Sequence, residues 1–385
     1  MVNSKKKLGS GQKAQTSIDE NLNQDKIVEV ILDILSDKKL IKEISKDKLD
    51  IEFIDYLKKF KKIIFELNKH EEIYCKHILT NPLKVIKYLI FRFKFRQAGQ
   101  EKVLLDYPPY LLIEPVSACN LRCPFCFQTD KTFTVKGNMG VMKFDLFKKV
   151  VDEANELGVG AITLASRGEP TMNKKLDLML EYLSTKENIF EIKLNTNATY
   201  LTEKLCHTIL KTEVNQVVIS ADHYIKKDYE RLRLNANFEE ILGNVDQFFN
   251  IRKKYYPNSI TEIRISGVDN DKNLDRKKFK DFWIKRSDHV TAIFPIDRWN
   301  TYKNKKDENI SDPCENLWDR MYVWYDGKVN PCDADYKSYL QFGNVNENSI
   351  SNVWKSDKIK ELRNEHTKNL RNKIVPCDRC GVTFK

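Results

Sequence analysis

The chain has 385 residues, with 66 Lys and Arg against 55 Asp and Glu and a formal charge of +11. Its length and its 41% hydrophobic content allow one large domain with accessories, or two to three domains. No run approaches the roughly 18 uncharged apolar residues of a membrane span, and the N-terminal MVNSKKKLGSGQKAQTS lacks the apolar h-region of a secretory signal. The charge permits attraction to nucleotides, nucleic acid or acidic lipid without choosing among them. Seven of the nine cysteines fall into two groups with ligand-like spacing. That argues for a reducing cytoplasm and against a disulfide scaffold.

Residues 1–25 carry few large apolar side chains and are expected to be flexible. Residues 26–106 read as a helical extension, with Ile27, Val30, Ile31, Ile34 and Leu35, then Ile54, Leu57, Phe60, Ile63 and Ile64, at helical spacing. Within it, LKVIKYLIFRFKFR (83–96) holds five basic residues, and no acid occurs from 73 through 100. Two readings stay open: a helix lying weakly on an anionic membrane surface, or an ordinary packed helix whose lysines snorkel out.

Next, strand and helix patterns alternate. Strand-like runs occupy 111–116, 161–165, 190–194, 216–220, 261–267 and 290–294. Helical patterns occupy 143–157, 175–183, 202–210, 238–254 and 275–285. The expected fold is α/β, a partial (β/α)6 TIM-like barrel over 107–296, with ligands at the carboxyl ends of the strands. Directly after the first strand, Cys119, Cys123 and Cys126 stand as C-x3-C-x2-C, with Phe125 before the third. Thiolates hold iron–sulfur clusters. Three can hold three irons of a cubane and leave the fourth open to a small molecule. Zinc would want a His or fourth Cys at ligand spacing nearby, and disulfides would leave one thiol over.

After residue 296 the composition changes. Residues 301–311 look like a linker, and Cys314, Cys332, Cys377 and Cys380 follow as C-x17-C-x44-C-x2-C. Trp324 to Cys332 reads as a hairpin around Asp326-Gly327, and 350–367 as a helix. Four thiolates saturate either zinc or a [4Fe–4S] cube, and ligand count does not separate the two.

The first cysteine motif resembles the signature of the radical S-adenosylmethionine (radical SAM) superfamily. The resemblance implies a [4Fe–4S] cluster on Cys119, Cys123 and Cys126, with SAM on the open iron, cleaved to a 5′-deoxyadenosyl radical. Ser166-Arg167-Gly168-Glu169-Pro170 resembles the family's GGE motif, with Arg167 in place of the first glycine. Phe125, Gly168, Glu169, Asn195, Asn197, Ser220 and Asp222 are the SAM-contacting positions so implied, and the strand 263–267 resembles the one that pairs with adenine. The later cysteines resemble the SPASM/Twitch auxiliary domain, over 297–385. Only five residues follow Cys380, so the shorter Twitch form with one auxiliary [4Fe–4S] cluster is expected.

The Twitch spacing resembles that of the 2-deoxy-scyllo-inosamine dehydrogenases. It implies oxidation of a carbohydrate-like small molecule, with the auxiliary cluster accepting an electron and a flavodoxin or ferredoxin as reductant. Arg264, Arg298, Asp222 and Asp297 are candidates for the deprotonating group by position only. His223, His207, Cys206 and Cys75 read as packing or surface residues. The alternatives are a peptide-modifying maturase, an epimerase with Cys206 as the spare thiol, and a non-enzymatic nucleic-acid binder holding iron–sulfur or zinc.

Overall fold

A computed structural model describes residues 21–45, 47–59, 67–270, 274–294 and 300–382. Most of the expected flexible tail, and Asp297 and Arg298, lie outside the described residues. The chain forms two compact units, 1–94 and 95–385.

The first unit is helical: α1 (Asn21–Ser36), α2 (Lys38–Ile44), α3 (Lys48–Lys59), α4 (Lys69–His77) and most of α5 (Pro82–Gln100). Asp37 starts α2 by accepting from the Lys39 and Leu40 N–H groups, and Asn68 with Glu71 forms a capping box on α4. No residue of α5 from 83 through 99 is exposed. Arg92 holds Glu71 at 2.6 Å, and Lys94 holds Asp47 at 2.5 Å and Asp50 at 2.7 Å. The helix is therefore packed, and two of its five basic residues, Arg92 and Lys94, are paired with acids of the same unit. Its counter-charges come from elements distant in sequence, so the acid-free stretch gave no sign of them.

The second unit is built on one sheet. Its parallel strands are β1 (Tyr110–Ile113), β2 (Ala161–Leu164), β3 (Glu191–Thr196), β4 (Gln216–Ser220), β5 (Glu262–Val268) and β6 (His289–Ile293). The expected strands all appear, displaced at their ends by at most two or three residues. The helices are α6 (Phe144–Leu157), α7 (Leu176–Ser184), α8 (Glu203–Lys211), α9 (Lys226–Leu232), α10 (Phe238–Tyr255) and α11 (Arg276–Trp283). α9 is too short for its period to stand out in the sequence. The result is the partial (β/α)6 barrel. Leu111, Ile113, Ile162, Leu164, Ile192, Leu194, Val217, Ile219, Ile263 and Ile265 join the hydrophobic core. The alternate positions line the opposite, inner face and are mostly polar: Tyr110, Thr163, Glu191, Lys193, Asn195, Gln216, Glu262, Arg264, Ser266 and Thr291, with apolar Leu112 and Val218 among them.

The C-terminal domain is continuous with this sheet. β7 (Met321–Val323) lies parallel on β1, followed by antiparallel β8 (Lys328–Asn330) and β9 (Gly343–Asn344). The strand order is β6-β5-β4-β3-β2-β1-β7-β8-β9. The expected hairpin joins β7 to β8, and Gly327 supplies its left-handed φ of 85°. Two expectations change. The supposed linker is tied down: Thr301 is buried and donates to Ala334 O, Tyr302 donates to Asp335, and Asp307 N–H donates to Asp378 O. The expected helix at 350–367 is two, α13 (Ile350–Trp354) and α14 (Asp357–Thr367). They break at extended Ser356 (ψ 154°), and the Arg363 guanidinium donates to the freed Trp354 carbonyl. α12 (Asn316–Asp319) completes the set.

Candidate active site and cysteine centres

The loop leaving β1 carries the first three cysteines. Its entrance is anchored by Ser117, whose N–H donates to Gly140 O at 3.0 Å and whose hydroxyl accepts from Gly140 N–H at 2.7 Å. A turn then closes from Cys126 N–H to Cys123 O at 3.0 Å. Buried Gln128 donates to both Ser117 O (2.7 Å) and Arg167 O (2.6 Å), tying the cysteine loop to the loop after β2.

All nine cysteines are free thiols. Burial pushes Cys119 up to about 11 and Cys126 up to about 12, and Cys123 is raised for the same reason. The three also oppose one another's ionisation, which is what crowding produces. Such thiols stay protonated unless a cation joins them. A cluster's irons would supply it, so the donor set fits an iron–sulfur group on Cys119, Cys123 and Cys126. Among the described residues, no group of three or more His, Cys, Asp or Glu is gathered closely enough to hold a single metal ion.

The strand ends bring the other expected residues to this loop. A Cβ on Gly168 would overlap the carbonyl oxygens of Val116 and Ala118, so only glycine lets the two loops touch. Glu169 N–H donates to Ala118 O at 2.9 Å. The Glu169 carboxylate is buried, which raises its pKa, and it accepts from the Thr171 and Thr196 hydroxyls (2.6 Å each) and from Asn197 N–H (2.7 Å). The Asn197 amide donates to Asn120 Oδ1 at 2.9 Å and lies 3.8 Å from Cys119 Sγ. Asn195, on the inner face, has a buried amide oxygen with no partner. Ser220 ends β4, and Phe125 is half-buried in the cysteine loop. Asp222 is committed to other work. One oxygen accepts from Val268 N–H at 2.8 Å, and the other pairs with buried Arg233 at 2.8 Å.

Two arginines carry roles that the sequence did not disclose. Arg233 is close enough to Cys123 and Cys119 to favour their thiolates. Arg167, in place of the motif's first glycine, points its side chain away from the cysteine loop to Glu114. The left-handed backbone falls on Ser166 (φ 106°), and the Arg167 side chain turns to Glu114, with Nε to Oε2 and Nη2 to Oε1 both at 2.6 Å. It also donates to Tyr336 O at 3.0 Å and lies 4.2 Å from the Trp324 ring centroid. His223 accepts from Ile225 N–H, Cys206 sits in the hydrophobic core, and His207 bonds the Tyr256 hydroxyl.

The second centre gathers Cys314, Cys332, Cys377 and Cys380. Burial pushes Cys314 up to about 12 and holds Cys332 and Cys377 well above an ordinary thiol, and the sulfurs reinforce one another. His366 Nδ1 accepts from Cys314 N–H at 3.2 Å, which leaves the proton on Nε2, a buried atom without a partner. Arg371 Nε is likewise buried and unpartnered, and Arg371 favours the thiolates of Cys314 and Cys377. Orphaned donors beside four thiols fit an anionic iron–sulfur group.

A radical SAM superfamily model matches residues 113–282, and an iron–sulfur cluster-binding domain model, SPASM, matches residues 314–381. Together they cover more than half of the chain. The chain carries a radical SAM domain followed by a SPASM domain. This radical SAM enzyme therefore uses SAM and a [4Fe–4S] cluster, and its SPASM domain brings auxiliary iron–sulfur. It is 26% identical over 275 residues to GTP 3′,8-cyclase of Clostridium botulinum strain Langeland, across 60% of this chain and 84% of that one. A second C. botulinum cyclase, from strain Hall, matches over 44% of this chain and 53% of its own length at 26% identity. The tungsten-containing aldehyde ferredoxin oxidoreductase cofactor-modifying protein of Pyrococcus furiosus is 25% identical over 303 residues, 66% of this chain and 83% of that one. Among solved structures, BtrN in complex with AdoMet and 2-DOIA aligns at a TM-score of 0.50 and 20% identity, over 71% of this chain and 93% of that one. SuiB of Streptococcus suis bound to S-adenosylmethionine aligns at 0.54 and 14%, over 88% and 83%. These identities establish the fold and not the reaction. Among the described residues, no helix of the radical SAM enzyme is long and apolar enough to cross a membrane.

Gly168→Ala tests the contact between the two loops. The added methyl must push apart two backbones, at roughly 1–3 kcal/mol or more. The expected result is a folded protein whose first cluster is lost or underloaded, read as iron per chain and cluster absorbance. Full iron loading in G168A would refute the assignment.

Proposed function

We propose that this radical SAM enzyme carries out a two-electron oxidation of a carbohydrate-like substrate, converting a secondary alcohol to a ketone. When bound, the first cluster with SAM supplies a hydrogen-abstracting radical, and the second accepts an electron. A hydrogen atom leaves carbon, a proton leaves the hydroxyl and one electron leaves the resulting radical, so that C–O becomes C=O. The observation that supports this most is the second donor set. Four cysteines of one chain can close a cluster completely and leave no position for substrate, which suits an electron acceptor. The inner face supports it too, since Tyr110, Thr163, Asn195, Ser266 and Thr291 can exchange hydrogen bonds with a polyol.

In this reading, 107–296 is the radical-generating barrel and 297–385 the auxiliary domain with a single cluster. Cys119, Cys123 and Cys126 hold the first cluster, Phe125, Gly168, Glu169, Asn195, Asn197 and Ser220 surround SAM, and Asp222 stands behind them, holding Arg233 and the Val268 N–H. A cytoplasmic setting and a flavodoxin or ferredoxin donor belong to the same proposal. Epimerisation would need a thiol facing substrate, and Cys206 is buried among core side chains on the other side of the sheet. A peptide-modifying reaction is the second reading. It draws on the likeness to SuiB, which covers 88% of this chain against 71% for BtrN.

The test is anaerobic incubation of the reconstituted, reduced protein with SAM and a panel of aminocyclitols, each deuterated at a carbinol carbon. Deuterium in 5′-deoxyadenosine together with a ketone product is expected. Release of 5′-deoxyadenosine with deuterium transfer and no ketone would overturn the oxidation.

A further inference from the structure

The inner face of the barrel carries two cations that, among the described residues, pair with no carboxylate. Lys193, in the middle of β3, has neither a hydrogen bond nor an ion pair among the described residues. Arg264, on β5, donates Nη2 to Thr291 Oγ1 at 3.3 Å, and its Nε is buried without a partner. Burial and the charges of Arg264 and Arg320 lower Lys193 to about 8, outweighing the opposing pull of Glu191 and Glu262. Glu191 and Glu262 lie on the same face and attract Lys193 without pairing with it. Arg320 is held by Asp319 at 2.6 and 2.8 Å, and Glu262 accepts from Gln216 at 2.5 Å. Buried donors without acceptors are costly, so Lys193 Nζ and Arg264 Nε call for an acceptor, and two cationic donors on neighbouring rungs favour an anionic one.

The register says where that anion would sit. Asn195 and Arg264 both pair with Val218, so they share a rung. Lys193 pairs with Thr163 and Gln216, two residues nearer the amino end of β3. An anion held by both cations would lie just below the rung of Asn195, itself a SAM-contacting position in the reading above. The body of the substrate would then reach up towards SAM.

We propose that Lys193 and Arg264 form an anion subsite in the barrel, so that the substrate carries a phosphate or carboxylate group on its polar frame. This rests on the inner face being the substrate chamber. It does not depend on the oxidation itself.

The experiment is calorimetric titration of the anaerobically reconstituted holoprotein with inorganic pyrophosphate, with succinate, and with uncharged myo-inositol as control. Saturable binding of pyrophosphate identifies a phosphate substrate, and of succinate a carboxylate. Either supports the subsite if Lys193→Gln and Arg264→Gln each weaken it about tenfold or more. Lys193→Arg, which keeps the charge, should retain most of the affinity. It carries the test together with Arg264→Lys if the glutamine variants lose their clusters. Binding of neither anion, or unchanged affinity in the variants, overturns the proposal. No turnover is involved, so failure of the oxidation leaves these titrations unaffected, and failure to bind leaves the oxidation standing.

Discussion

Cys123→Ala will abolish 5′-deoxyadenosine release while the second centre stays loaded. Cys123 is the middle thiol of the loop, 9% exposed, and the thiol nearest in charge to Arg233. With it gone, two thiolates remain, and no other described cysteine is on the loop. Even changes to residues that only support a metal ligand cost 10–100-fold. Loss of the ligand itself should bring SAM cleavage to background, more than about 100-fold down. The cysteines of the second centre sit just before α12, just after β8 and in the C-terminal segment, held by contacts that Cys123 does not share. Iron per chain should therefore fall by one cluster's worth, with residual iron–sulfur absorbance. Retained turnover in C123A would end the assignment of the first centre.

Arg167→Met will cost more stability than any exposed substitution in the second unit. It leaves Glu114, 0% exposed, without its bidentate partner. Glu114 would keep only a long contact from Tyr325 N–H at 3.3 Å and the Arg167 backbone N–H, also at 3.3 Å. Breaking a buried pair from one side typically costs 3–5 kcal/mol. For a unit of this size that is a fall of roughly 6–20 °C in thermal midpoint. Adding Glu114→Gln removes the stranded charge, so the double variant should recover part of the loss. A double variant no more stable than R167M would show that the pair is not what the arginine provides. The same side chain joins the loop after β2 to Tyr336 and Trp324 in the C-terminal domain. R167M should therefore also loosen the domain that carries the second centre.

Both predictions rest on residues that the sequence exposes unequally. The cysteine spacings stand in plain view, because ligand spacing is a local property of a loop. The six β/α units were legible for a similar reason. Apolar residues repeat every second position in strands and every third or fourth in helices, and that pattern is written within each segment. The Asp326-Gly327 hairpin could be read because only certain residues accept its turn geometry. Gly168 was legible as part of a motif, although its reason, contact with the backbone at Val116 and Ala118, was not.

What tertiary structure alone decided is the pairing of groups far apart along the chain. Arg167 looked like a defect in a glycine motif until Glu114, 53 residues away, was found to hold it. Arg233 comes beside Cys123, and acids on α2–α4 loops and helices answer the cations of α5, only because folding brings separate segments together. Residues 301–311 looked like a linker because their composition is polar, yet their partners lie in the C-terminal cysteine region. Lys193 could have been suspected from the alternation in EIKLNT, which sends Ile and Leu one way and Lys and Asn the other. That it lies near Arg264 and Arg320 without an ion pair of its own could not. Backbone preference and side-chain period act over a few residues and are therefore local. Charge compensation and thiol crowding act through space, and one chain's order of residues does not spell out its distances.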